Sequence, residues 1–143
     1  MPTTQGLRSV IDKANAATEK RVAETFRFME EQKIRKALAP NEWEKFKHQH
    51  IQECATLNQS GQPLQSDAYG VNELTIRNTD TGKSVKFTFN PDMPCVFYDG
   101  DDSGHFAFKP SADGMTLQWF HPKYKRVVTI GEIFFETIKY LIS

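Results

Sequence analysis

Most of the features that would assign a chemistry are missing from this sequence. It has only 2 cysteines in 143 residues, Cys54 and Cys95, and they fall in segments of different expected type among apolar neighbours. Free, buried thiols are the expectation, because an unpaired cysteine behaves as a small hydrophobe. A chain of this length can bury a working core without disulfides or metals. Charge of one sign is also absent, with 18 basic and 18 acidic side chains giving a formal net charge of +0. No bulk field draws the chain to nucleic acid or to a membrane surface, so either partner would need a local patch.

Long apolar runs are absent too. Nothing reaches the roughly 18 residues that a spanning helix needs, so no membrane role is expected. Residues 1–6 hold no apolar core of signal-peptide length, which makes a cytoplasmic protein the expectation. No G-x-S-x-G elbow and no Gly-rich phosphate loop occurs, and neither cysteine sits in a catalytic motif. There is no internal repeat and no low-complexity tract. The balance is against an enzyme, and no catalytic residue and no cofactor is assigned.

What the chain does have is phenylalanine and pattern. Eleven Phe give a 143-residue chain the ring area to offset chain entropy, as a folded soluble domain requires. Between residues 71 and 130, short alternating segments are separated by turn signals. Leu74/Ile76, Val85/Phe87/Phe89, Cys95/Phe97, Phe106/Phe108 and Met115/Leu117/Trp119 each read as the inward face of a strand. Turns fall at Asn78–Lys83, with Gly82 placed for a positive φ, and at 90–94, 99–104 and 111–114. Spacings of about ten residues with short turns predict sequential antiparallel neighbours. Thr75, Arg77, Lys86, Thr88, Thr116 and Gln118 fall on the other face, which should be wet.

Helical patterns flank this meander. Leu7, Val10, Ile11, Ala14, Ala17, Val22, Phe26 and Met29 recur near the helical period, and no Gly or Pro interrupts 7–39. The stripe drifts near Ile34, Ala37 and Leu38, so the last turns should face something else. A helix of about 30 residues spans about 45 Å at about 1.5 Å per residue, more than a sheet of this size covers. Pro40 reads as a break. Trp43, Phe46, His50, Cys54 and Leu57 then line one face of a second helix, so 6–57 is expected to be an antiparallel helical hairpin. Residues 58–70 turn polar and read as a surface loop. At the far end, Thr129 and Glu132 fit a capping box, and Ile130, Ile133, Phe134, Thr137, Ile138 and Leu141 hold one face of a closing helix over 130–142.

Four candidate sites need weighing against plainer readings. Asp99, Asp101, Ser103 and Gly104 match the opening of a calcium loop, but position 12 is Pro110 and strands flank it, so a hairpin turn is the stronger reading. His50 and Cys54 stand four apart on a helix, though a structural zinc needs four ligands and the remaining histidines show no motif spacing. Asp102 and His105 could form an acid–base pair only by chance of the turn. Residues 119–126 interleave Trp119, Phe120 and Tyr124 with Lys123, Lys125 and Arg126, which could stack bases and hold phosphates, but also describe a strand end and a solvated turn.

The resulting expectation is one α+β domain over 1–143. It comprises a helical hairpin (6–57), a five-stranded antiparallel meander (71–128) and a C-terminal helix packed on the sheet (130–142). Its role is expected to be non-catalytic binding or interaction, as a homo-oligomer through Leu7, Val10, Ile11 and Ala14 of the long first helix, with a protein partner possible. The alternatives are a small-molecule or enzymatic pocket between sheet and helices, lined by Phe87, Phe106, Phe108 and Trp119, and a nucleic-acid contact through Lys123, Lys125 and Arg126.

Overall fold

Helix α1 occupies Thr4–Gln59 without interruption, Pro40 included. The computed structural model describes residues 4–143; residues 1–3, the start of the segment read above for a signal core, lie outside the described residues. The expected helical hairpin over 6–57 is therefore corrected to a single helix. An interior proline forfeits a hydrogen bond and crowds the preceding turn, at about 3 kcal/mol. Docking on both sides of Pro40 outweighs it. After the proline, Trp43, Phe46, His50 and Cys54 are buried, and each large apolar side chain contributes about 1.5–3 kcal/mol. Before it, Ala39 is buried, Ile34 and Leu38 pack on the same core, and Arg35 Nε donates to the Phe108 carbonyl at 3.0 Å. A hairpin would pull that preceding turn off the sheet. The drift of the stripe near Ile34 thus marks where the helix meets its core.

Seven strands, not five, follow in chain order: β1 (Leu64–Asp67), β2 (Glu73–Asn78), β3 (Ser84–Asn90), β4 (Cys95–Asp99), β5 (Ser103–Pro110), β6 (Leu117–His121) and β7 (Arg126–Val128). Each pairs antiparallel with the next, so the sheet is a meander throughout. The two extra strands are its edges, and both evade hydrophobic alternation. Only Leu64 of β1 turns fully inward, and polar contacts hold the rest, with Arg77 reaching Gln65 Oε1 at 3.2 Å and Asp67 Oδ2 at 3.3 Å. The loop expected over 58–70 is therefore partly a strand. β7 is too short to show a period.

The phase of β4 also differs from expectation. Val96 opposes Phe89 and Phe106, and Tyr98 opposes Phe87, so these face inward. Phe97 opposes Thr88 and His105 and points out, 40% exposed. Cys95 is buried at the strand end beside Met93 Sδ, 3.6 Å from its sulfur. Met115, read as inward, sits in the turn after Gly114 and is 73% exposed. Arg77, Lys86 and Gln118 are exposed on the outer face as expected. Gly82 takes φ +79°, closing the β2–β3 hairpin around the Asn78 side chain.

Helix α2 (Ile130–Ile142) carries the expected capping box in full: Thr129 Oγ1 accepts from the Glu132 amide at 3.1 Å, and Glu132 Oε1 accepts from the Thr129 amide at 3.3 Å. Buried Asn78 donates to the Leu141 carbonyl at 2.8 Å, tying the first hairpin to the end of α2. The part of α1 from Ile34 onward and α2 lie on the inward face. Phe46 stacks on Trp43 and Trp119 at 5.5 and 4.9 Å and meets Phe87 edge-on at 4.9 Å. His50 lies 5.2 Å from Phe134 of α2.

Contacts divide the chain into two units between Lys33 and Ile34. The second holds the sheet, α2 and the core. In the first, every described residue up to Glu30 is exposed. Among the described residues, no helix is long and apolar enough to cross a membrane.

Candidate functional site

The inward face of the sheet and α2 line a cavity of about 560 Å³ that opens to solvent. Alternation along the strands delivers its buried wall: Val85 and Phe87 from β3, Phe106 from β5 and Val128 from β7, with Ile133 and Thr137 from α2. Tyr98, His121, Tyr124 and Tyr140 add four rings from four different elements. Asp101, Asp102, Arg126, Glu132 and Glu136 line its exposed part. On α2 the spacing 132, 136, 140 sets Glu132, Glu136 and Tyr140 along one edge.

At its centre Tyr98 Oη and His121 Nε2 share a hydrogen bond of 2.7 Å. His121 is 5% exposed and stacks on Tyr124 at 4.7 Å, nearly parallel at 12°. Burial, then the charges of Arg126 and Lys123, hold the His121 pKa below its ordinary value, so the ring is neutral near pH 7. Burial, then the Asp102 carboxylate, push the Tyr98 phenol up, so it keeps its proton. Lys123 Nζ lies 2.5 Å from Asp102 Oδ2, and that contact lowers the carboxyl and raises the ammonium. His121 Nδ1, in contrast, has no hydrogen-bond partner among the described residues.

The residues singled out from sequence are partly drawn together here. Asp99 and Ser103 are cross-strand partners in the β4–β5 hairpin, and Ser103 N donates to Asp102 Oδ1 at 2.9 Å, as a turn requires. Asp101 lines the cavity while Asp99 and Ser103 do not. Among the described residues, no cluster of three or more His, Cys, Asp or Glu side chains is arranged to hold a metal ion. His50 Nδ1 donates to the Phe46 carbonyl at 2.8 Å, and burial lowers its pKa to about 4. Cys54 is a free buried thiol pushed up to about 11 by burial, then by Glu53. Asp102 and His105 are not joined: the first bonds Lys123, and the second faces Phe97 across the outer surface.

The basic-aromatic segment is largely spoken for. Trp119 is buried and donates from Nε1 to Glu42 Oε1 at 3.2 Å, Tyr124 stacks on His121, and Lys123 is held by Asp102. Arg126 lines the cavity, and Lys125 is exposed with φ +51°. Of the four aromatic residues expected around a pocket, Phe87 and Phe106 line it. Phe108 and Trp119 instead pack together at 4.8 Å in the core. Leu7, Val10, Ile11 and Ala14 are all exposed on α1.

Sequence reading missed Tyr98, His121, Tyr124, Tyr140, Glu132 and Glu136 as neighbours. The i, i+4, i+8 run on α2 was a legible signal; the others converge only through the fold. The architecture is thus an α+β meander with an open cavity beneath its closing helix. No known family model, curated protein or solved structure matches the chain.

Proposed function

We propose that the protein is a non-catalytic interaction module that pairs with a second copy of itself through the first half of α1. The observation that carries this reading is a helix exposed on every side that nonetheless bears a stripe of large apolar residues. Leu7, Val10, Ile11, Val22, Phe26, Phe28 and Met29 are each 52–65% exposed. With Ala14 and Ala17 between Ile11 and Val22, they fall on one side of the helix, as a pairing seam does. Isolated helices are marginal in water without such a partner face. Charge complements the seam. Arg8, Lys13, Lys20 and Arg21 outnumber Asp12 and Glu19, whereas Glu24, Glu30 and Glu31 outnumber Arg27 and Lys33. An antiparallel pair sets the basic half of one copy beside the acidic half of the other. Two free buried thiols fit a reducing compartment, and we place the protein in the cytoplasm. The test is light scattering of Ile11→Glu and Phe26→Glu variants, which should become monomers with unchanged tryptophan fluorescence. Variants that remain dimeric would refute the seam.

A second binding function rests on the cavity. Its volume, about 560 Å³, lies within the range of small-molecule sites, and its apolar wall with a few polar groups has their character. The nucleic-acid reading loses support, because Lys123 and two of the segment's aromatic rings are engaged within the fold.

A further inference from the structure

We infer that the cavity under α2 binds an organic cation: an ammonium or methylated ammonium head carried on a small apolar body. This rests on the cavity being a binding site, and it names the ligand that such a site selects.

Three observations converge on positive charge. First, the charges that line the cavity do not balance. Asp102 is neutralised by Lys123, which leaves Asp101, Glu132 and Glu136 against Arg126 alone. Glu132 accepts the Thr129 amide, and Glu136 lies one turn further along the same edge of α2. An anion entering here would meet an excess of carboxylate.

Second, the walls are aromatic. The face of an electron-rich ring attracts a cation within about 6 Å, most strongly where water is excluded. Two of the tyrosines already do so within the chain, with Lys123 Nζ 5.9 Å from the Tyr124 centroid and Lys83 Nζ 5.4 Å from that of Tyr140. Those ammonium groups are anchored on Asp102 and on the Ser143 carbonyl. The inward apolar side chains, Phe87 and Ile133 among them, leave the body of the ligand a surface that no polar group contests.

Third, the buried His121 nitrogen lacks a partner. His121 Nε2 shares the hydrogen bond with Tyr98 Oη, so the orphan Nδ1 belongs to a ring that lines the cavity. His50 supplies the contrast. Its Nε2 is also unpartnered, but it is enclosed by Phe46, Phe87 and Phe134 and does not line this cavity. An orphan nitrogen carries an unmet desolvation cost in either place, and of these two rings only that of His121 stands at the cavity.

The experiment titrates the full chain with three probes that share a benzyl body: benzyltrimethylammonium, benzyl alcohol and phenylacetate. Binding is followed by the amide resonances of Tyr98, His121 and Glu136. Benzyltrimethylammonium should bind about tenfold tighter than the other two. Glu136→Gln should weaken it several-fold, while Lys86→Gln on the outer face should leave it unchanged. Tighter binding of benzyl alcohol or phenylacetate at the same resonances would overturn the cation assignment but keep the cavity as a site. No shift at those resonances with any probe would overturn both.

Discussion

The two halves of α1 follow one helical period and end in opposite surroundings. From Ile34 onward the helix buries Trp43, Phe46, His50 and Cys54, and up to Lys33 it leaves Val10, Val22 and Phe26 about two-thirds exposed. The difference lies less in hydrophobicity than in complementarity. The second half presents rings in register with rings of the sheet, such as Phe46 with Phe87 and Trp119. The first half presents a mixed stripe that stays exposed. An apolar face states that something covers it; a geometrically matched partner states what.

That contrast can be pressed with substitutions of falling effect. Phe46→Ala, which opens a cavity among Trp43, Phe87 and Trp119, should cost about 3–5 kcal/mol in urea unfolding. A loss below about 1 kcal/mol would mean that the second half is not the anchor. Next comes acid. The folded-state pKa of His50 is lowered to about 4 from an ordinary 6.5, so the folded state favours the neutral ring. Its contribution is therefore fully present above about pH 6.5, fades as pH falls toward 4 and is gone below that, a change of about 3 kcal/mol by linkage. His50→Phe should flatten the stability-against-pH curve in that window relative to the unaltered chain, and equal slopes would contradict the assignment. Thr129→Ala removes one half of the capping box and should lower stability by about 1 kcal/mol. The smallest effect belongs to Phe26→Ala. Followed through the fluorescence of Trp43 and Trp119 at a dilution where the chain is monomeric, its change should stay within about 0.5 kcal/mol. The same residue type would then be decisive in one half of the helix and nearly silent in the other.

Legibility in the sequence followed the strength of local signals. Helix α2 and its cap were readable because Thr129, Glu132 and the apolar run from Ile130 to Leu141 all agree. The central strands β2, β3 and β5 were readable through Leu74/Ile76, Val85/Phe87/Phe89 and Phe106/Phe108. Pro40 misled because its local penalty is outweighed by contacts with residues as far along as Phe108, which no window contains. In β4, apolar residues occupy Cys95, Val96 and Phe97 in succession. Only pairing with Phe89 and Phe106 decides which of them turns inward. β1 was hidden because an edge strand held by Arg77, Gln65 and Asp67 looks like a polar loop. The cavity was the least legible part. Tyr98, His121, Tyr124 and Tyr140 share no spacing, and only the meander and the crossing of α2 bring them together.

The central claim is that the first half of α1 is a seam between two copies. Sedimentation velocity of the unaltered chain across a hundredfold range of concentration tests it most directly. A species of twice the 16.4 kDa chain mass that gives way to monomer on dilution is the expected result. A single monomeric species at every concentration would contradict it.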